Sequence, residues 1–220
     1  MSLNSSDSII IVGTYILARA GCNFSAISGT DADALRWDRF GYAHLTKLAS
    51  DQPEDTFVKR TPSTELWDEE VPHDKIKIMS EYLEDFTILP QEQLPKGVKF
   101  GVSFTTVTLN APKHLEYLYQ RLKEQYGVRF IRQKIPHIQS AFSSPSTKVV
   151  FNCIGNAANT LLGVEDAKCY PTRGQVLLVR APNVQTNIMR HSKDEETYVI
   201  PRPGSNGNVI LGGYMQRGNG

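Results

Sequence analysis

The run Ser8-Ile9-Ile10-Ile11-Val12-Gly13 constrains the fold more than any other short stretch. It is β-branched, apolar and closed by glycine, the pattern of a strand buried on both faces of a parallel sheet. In a dinucleotide-binding fold the next residues form a Gly-x-Gly-x-x-Gly turn that brings a helix N-terminus against a phosphate. Here Thr14, Tyr15 and Ile16 follow, and the next glycine is Gly21. That interval cannot hold a crossover helix and a second strand bearing an acid for a ribose.

Farther along, periodicity separates helices from strands. Gly29 to His44 reads as a helix with Asp31 or Asp33 near its start and Leu35, Phe40 and Leu45 among its apolar positions. Asp51 to Glu70 is polar and Pro-bearing, so a loop is expected. Asp74 to Phe86 carries Ile76, Met79, Tyr82, Leu83 and Phe86 at helical spacing, and Val98 to Phe104 alternates as a half-buried strand does. The clearest helix runs from Pro112 to Tyr126, with Leu115, Leu118, Tyr119, Leu122 and Tyr126 on one stripe and Gly127 placed to cap it. Strands are expected at Val128 to Ile131, Lys134-Ile135, Lys148 to Ile154, Gln175 to Val179, Thr197 to Ile200 and Asn208 to Leu211, with a short helix at Ala157 to Leu162. The pattern is mixed α/β, a βαβ-like core feeding an antiparallel sheet.

Composition narrows the chemistry. The 24 Lys and Arg nearly balance the 23 Asp and Glu, so no basic field suggests nucleic acid. The longest apolar run, Ile9 to Val12, is far short of the roughly 20 residues of a membrane span, and Met1 to Asp7 is no secretory signal, so the expectation is a soluble protein. Cys22, Cys153 and Cys169 have no C-x-x-C spacing, and His44, His73, His114, His137 and His191 are scattered. Neither a disulfide framework nor a metal site is expected. No Gly-x-Ser-x-Gly turn or P-loop occurs. Glu69-Glu70 and Asp194-Glu195-Glu196 read as solvated charge rather than an acid and base pair.

Four motifs remain, in order: Asn152-Cys153-Ile154-Gly155, Tyr170-Pro171-Thr172-Arg173-Gly174-Gln175, Tyr198-Val199-Ile200-Pro201-Arg202-Pro203 and Leu211-Gly212-Gly213. Each alone reads as a turn or a packed strand. Their succession resembles the FAD-dependent D-amino-acid oxidase family, especially its yeast members. The resemblance extends weakly through Gly101 to Phe104 and back to Ala20-Gly21-Cys22-Asn23-Phe24.

The resemblance implies the remnant of a Rossmann-like FAD-binding domain, residues 1–30 and 128–175, with an antiparallel-sheet substrate domain, residues 31–127 and 176–220. It places Ala20, Gly21, Ile135 and Gly155 on the cofactor side and Asn23 and Tyr198 on the substrate side, the Tyr198 hydroxyl holding the substrate carboxylate. Ile154 stands where the family commonly has threonine. The family's phosphate-binding loop, and its last third with the arginine that clamps the carboxylate, have no counterpart here, and Arg202 or Arg217 does not by type alone replace that arginine. The implied activity is oxidative deamination of a D-amino acid by hydride transfer to FAD, giving a 2-oxo acid, ammonia and hydrogen peroxide, with no side-chain base. The alternative is an inactive relative that binds no FAD. D-aspartate oxidase stays open, the implied partners are a D-amino acid and oxygen, and peroxisomal residence is implied by kinship alone.

Overall fold

The computed structural model describes residues 7–13, 22–26, 31–193 and 195–217. In chain order the elements are β1 (Ser8–Gly13), β2 (Cys22–Asn23), α1 (Ala32–Asp51), α2 (Pro53–Thr56), β3 (Val58–Trp67), α3 (His73–Tyr82), β4 (Glu84–Ile88), β5 (Phe100–Leu109), α4 (Ala111–Tyr126), β6 (Thr147–Cys153), β7 (Thr172–Arg180), β8 (Asn187–His191), β9 (Glu196–Pro201) and β10 (Asn208–Arg217). The chain is mixed α/β and divides into two compact units. The smaller takes Met1–Leu17, Arg129–Arg173 and Gln216–Gly220; the larger takes Ala18–Val128 and Gly174–Met215. Among the described residues no helix is long and apolar enough to cross a membrane.

In the smaller unit β1 lies parallel to β6, in register from Ile9 opposite Val149 to Gly13 opposite Cys153. Val12, Ala141, Ile154 and Ala158 form its core, with Ile10, Ile135 and Val150 packed against them. β1 is a strand as expected, but it is not buried on both faces: Ile11 is 69% exposed, and Ile9 and Phe151 are exposed too. A two-stranded parallel sheet can cover one face only with the residues at hand. Val128 to Ile131 and Lys134-Ile135 are irregular rather than strands, since β1 takes β6 as its partner in this sheet. The expected helix at Ala157 to Leu162 is a 3-10 turn over Gly155–Asn159.

The larger unit is built on one mixed sheet, ordered β2-β5-β3-β8-β9-β10-β7, with β4 pairing β5 as a branch. Its spine is the antiparallel ladder from Val58 opposite Leu109 to Trp67 opposite Phe100. Helices α1 and α3 cover it: Tyr42 and Met79 pack with Ala26, Leu83, Val102 and Phe104, while Ala49 packs with Val58 and Val107. Asp31 caps α1 by accepting from the Ala34 amide at 2.8 Å. Helix α1 runs on past His44, and Phe40 is exposed while Tyr42 is buried. Helix α3 stops at Tyr82, and the chain continues as β4.

The largest correction is β3, which lies in the segment expected to be a loop. Its polar residues are not solvated: Thr61, Ser63 and Glu65 are buried. The Thr61 and Thr108 hydroxyls are 2.7 Å apart, and Asn187 Nδ2 donates to Ser63 Oγ at 2.8 Å. Partners far off in sequence thus remove the cost of burying polar groups. Pro62 is tolerated because pairing with β8 starts only at Ser63, so its missing N–H breaks no bond on that side. Helix α4 has Pro at its first turn and Gly127 as a left-handed cap, as expected, but its apolar stripe is exposed, Leu122 by 40% and Tyr126 by 64%.

Candidate functional site

Tyr198 sits in the middle of β9, opposite Met189 of β8 and opposite Gly212 of β10. Directly opposed residues share a face, so the Tyr198 and Met189 side chains stand together. The ring lies across Gly212, where any β-carbon would collide with its Cε2, Cζ and Oη atoms. Beside it, a β-carbon at Gly213 would collide with the Glu196 carbonyl. The Leu211-Gly212-Gly213 motif thus has a local cause: two side-chain-free positions let β10 approach β9 under the tyrosine.

Asn23 reaches the same patch from the segment after residue 21. Its Nδ2 donates to Met189 Sδ at 3.1 Å and to the Phe24 carbonyl at 3.3 Å. Pairing with β5, Asn23 opposite Thr108 and the Phe24 amide on the Val107 carbonyl at 2.8 Å, aims this segment. Asn23 and Tyr198 therefore converge on Met189. Partial burial, then the charges of Glu196 and Cys22, raise the Tyr198 phenol above its ordinary pKa, and a phenol is a neutral hydrogen-bond donor near pH 7 even without that shift.

Arg202 does not stand free beside this patch. Its Nε donates to Asn110 Oδ1 at 3.1 Å, and the buried Asn110 in turn donates from Nδ2 to the Pro203 carbonyl at 2.9 Å. The arginine is tied to the residue preceding α4, a positional role for at least one of its nitrogens.

A second cluster went unread in the sequence. Glu65, 1% exposed, accepts from Ser25 Oγ at 3.0 Å, and its other oxygen lies 3.4 Å from His191 Nε2. His191 Nδ1 lies 3.3 Å from Glu196 Oε1, and the ring stacks on Trp67 at 4.9 Å. Burial alone would lower the imidazole pKa, but the hydrogen bonds and charges of Glu65 and Glu196 outweigh it and raise the net value. Glu196 is therefore not merely solvated charge, and His191 is not merely a surface histidine. The signal that could have found them is the alternation of Thr61, Ser63 and Glu65, legible only once β3 is a strand.

The remaining expected site residues lie elsewhere. Ile135 and Gly155 belong to the smaller unit: Ile135 packs on its core, and Gly155, at φ +58°, follows β6 with nothing within 4 Å of a would-be β-carbon. Ile154 is buried in the same core, filling space where a threonine hydroxyl would need a partner. Ala20 and Gly21 lie outside the described residues.

No family model matches the chain. It is 44% identical over 206 residues to a D-amino-acid oxidase of Schizosaccharomyces pombe, covering 93% of this chain and 58% of that protein. By sequence, this chain belongs with the D-amino-acid oxidases. A D-aspartate oxidase of Cryptococcus neoformans is 34% identical over 207 residues, which is 86% of this chain and 51% of that protein. The chain thus spans a little over half the length of these curated relatives. Among solved structures, a glycine oxidase from Geobacillus kaustophilus matches with a TM-score of 0.64 at 17% identity, over 92% of this chain and 62% of that one. An L-amino acid deaminase from Proteus myxofaciens matches at 0.59 and 13%, over 96% and 60%. At such identities the likeness is one of fold.

Proposed function

We propose that this chain carries the substrate-side part of a flavin-dependent D-amino-acid oxidase, whose overall reaction turns a D-amino acid and oxygen into a 2-oxo acid, ammonia and hydrogen peroxide. One observation carries the reading above the rest: Asn23 and Tyr198, expected on the substrate side, converge on Met189 from elements far apart in the chain. In this role the Tyr198 hydroxyl donates to the substrate carboxylate, and Asn23 lines the same space. A neutral phenol suits that task, since a phenolate would repel the carboxylate. Ala20, Gly21, Ile135 and Gly155 are the cofactor-side residues of the reading. Its substrate is a D-amino acid, with D-aspartate kept open by the second curated relative. Peroxisomal residence belongs to the reading by family resemblance alone.

The described residues fit FAD in part. Gly155 leaves open, left-handed backbone at the carboxyl end of a parallel strand, where a cofactor can approach closely. A pyrophosphate, however, is usually met by a helix N-terminus after the first strand, and the residues that follow β1 lie outside the described residues. The described residues do not complete an FAD site. A second reading, in which the chain shares the family's ancestry and substrate-side sheet but holds no flavin by itself, rests on the sequence, where Thr14, Tyr15 and Ile16 follow Gly13 in place of a Gly-x-Gly-x-x-Gly turn. Adding FAD to the purified chain and removing the excess decides between them. Retained flavin absorbance with peroxide formed from D-alanine supports the oxidase, whereas apo protein with no peroxide leaves only the second reading.

A further inference from the structure

Among the described residues, Glu65 is the one acidic side chain in the set of largest fully buried groups, and it stands in the central spine of the sheet. An ionised carboxylate removed from water costs several kcal/mol unless it is paired and hydrogen-bonded. Its two oxygens reach in different directions. One takes the hydroxyl of Ser25, on the segment that carries Asn23, and the other meets His191, at the end of β8.

The Cys22–Ala26 segment is also held by packing: Ala26 is buried in the core of the larger unit, and the Phe24 ring lies against Tyr42 and Tyr82. The segment's backbone pairs with β5 at Cys22, Asn23 and Phe24. The Thr106 hydroxyl donates to the Phe24 carbonyl, and Asn23 touches Met189. Ser25 joins the segment to a charged group by a hydrogen bond, and hydrogen bonds to charged groups are the stronger ones.

We propose that Glu65 is a positioning residue, whose carboxylate ties Ser25 to His191 and so seats the Asn23 segment over β3 and β8 beside Tyr198. The carboxylates facing His191 are Glu65 from β3 and Glu196 from β9, with Trp67 stacked on the ring. On the same strand Arg190 is engaged by Asp68, Nε to Oδ1 at 2.9 Å. With a carboxylate at each ring nitrogen, the doubly protonated imidazole satisfies both contacts, fixing the ring that completes the hold on Glu65. The functional sense of the clamp rests on the reading that Asn23 and Tyr198 line the substrate space; the clamp itself does not.

The experiment is site-resolved amide exchange in the whole chain, comparing the unsubstituted protein with Ser25→Ala and Glu65→Gln. In Ser25→Ala the Phe24 amide exchanges about tenfold faster or more, the scale of losing a hydrogen bond to a charged group, while amides of the β3–β5 ladder keep their rates. In Glu65→Gln, which keeps the side-chain shape, the imidazole titration of His191 followed by NMR moves to lower pH. An unchanged Phe24 rate in Ser25→Ala overturns the proposal. So does acceleration shared equally by Phe24 and the ladder, which means a general loss of stability, and so does a His191 titration indifferent to Glu65→Gln. If Glu65→Gln fails to fold, Ser25→Ala carries the test alone. A chain that neither keeps FAD nor forms peroxide refutes the oxidase reading and leaves the exchange result standing.

Discussion

Tyr198 and Gly212 show how closely one residue can specify another. Gly212 is not in a left-handed conformation, so alanine there meets no left-handed backbone strain, and the nearest obstacle to its methyl is the Tyr198 ring. Overpacking of this kind costs about 1–3 kcal/mol, and Gly212→Ala is expected to destabilise the chain by that much in urea unfolding. With Tyr198→Ala already present the collision is gone, and the same change is expected to be neutral or mildly stabilising, because alanine restricts the unfolded chain. Strict additivity of the two changes would refute the packing account. At His191 the raised folded pKa sets a pH dependence. Its contribution is fully present below the ordinary value of 6.5 and is lost as pH rises through the higher folded value. The urea midpoint is expected to fall over that interval, and His191→Gln to flatten the fall; an identical slope in the variant counts against the carboxylate pairing. Tyr198 was legible as a site candidate because its motif is local and ordered among others. The Glu65–His191 contact was not, because its members come from strands that meet only in the folded sheet.

At the scale of elements, local chemistry and long-range pairing divide the legible from the hidden. Helix α4 was readable from its own residues: proline in the first turn, glycine past the last and a stripe at helical spacing need no knowledge of the rest of the chain. What that stripe touches was not readable, and the structure leaves it exposed. Strand β3 reverses the case. Its Thr, Ser and Glu positions look solvated until β5 supplies a hydroxyl and β8 an amide and an imidazole that satisfy them. β8 is short and mixed in polarity, so no period marks it, yet it joins β3 to β9 and thereby brings Met189 under Tyr198. The candidate site depends on both strands, since β3 joins β5, which pairs with the Asn23 segment, to β8, which pairs with the strand of Tyr198.

The whole molecule joins units of unequal construction. In the larger, β3 and β5 share a ten-residue ladder, with β8 on the far side of one and β2 and β4 along the other, and buried side chains over them. In the smaller, β1 and β6 pair with each other and, among the described residues, with no further strand, over a modest core and with one face exposed. An amide exchanges through the cheapest opening that frees it, and cooperative units need not share one stability. The amides of Val102 and Val107 are therefore expected to exchange only through unfolding of the larger sheet. Those of Ile10 and Val150 are expected to open at a lower free energy, about 3 kcal/mol or more below, which is roughly a hundredfold in rate or greater. Adding low urea sharpens the contrast, because a smaller opening exposes less surface and its exchange responds less steeply to denaturant. Equal rates and equal urea slopes at all four positions would mean that the chain unfolds as one block, with the parallel pair held as firmly as the sheet that carries Tyr198.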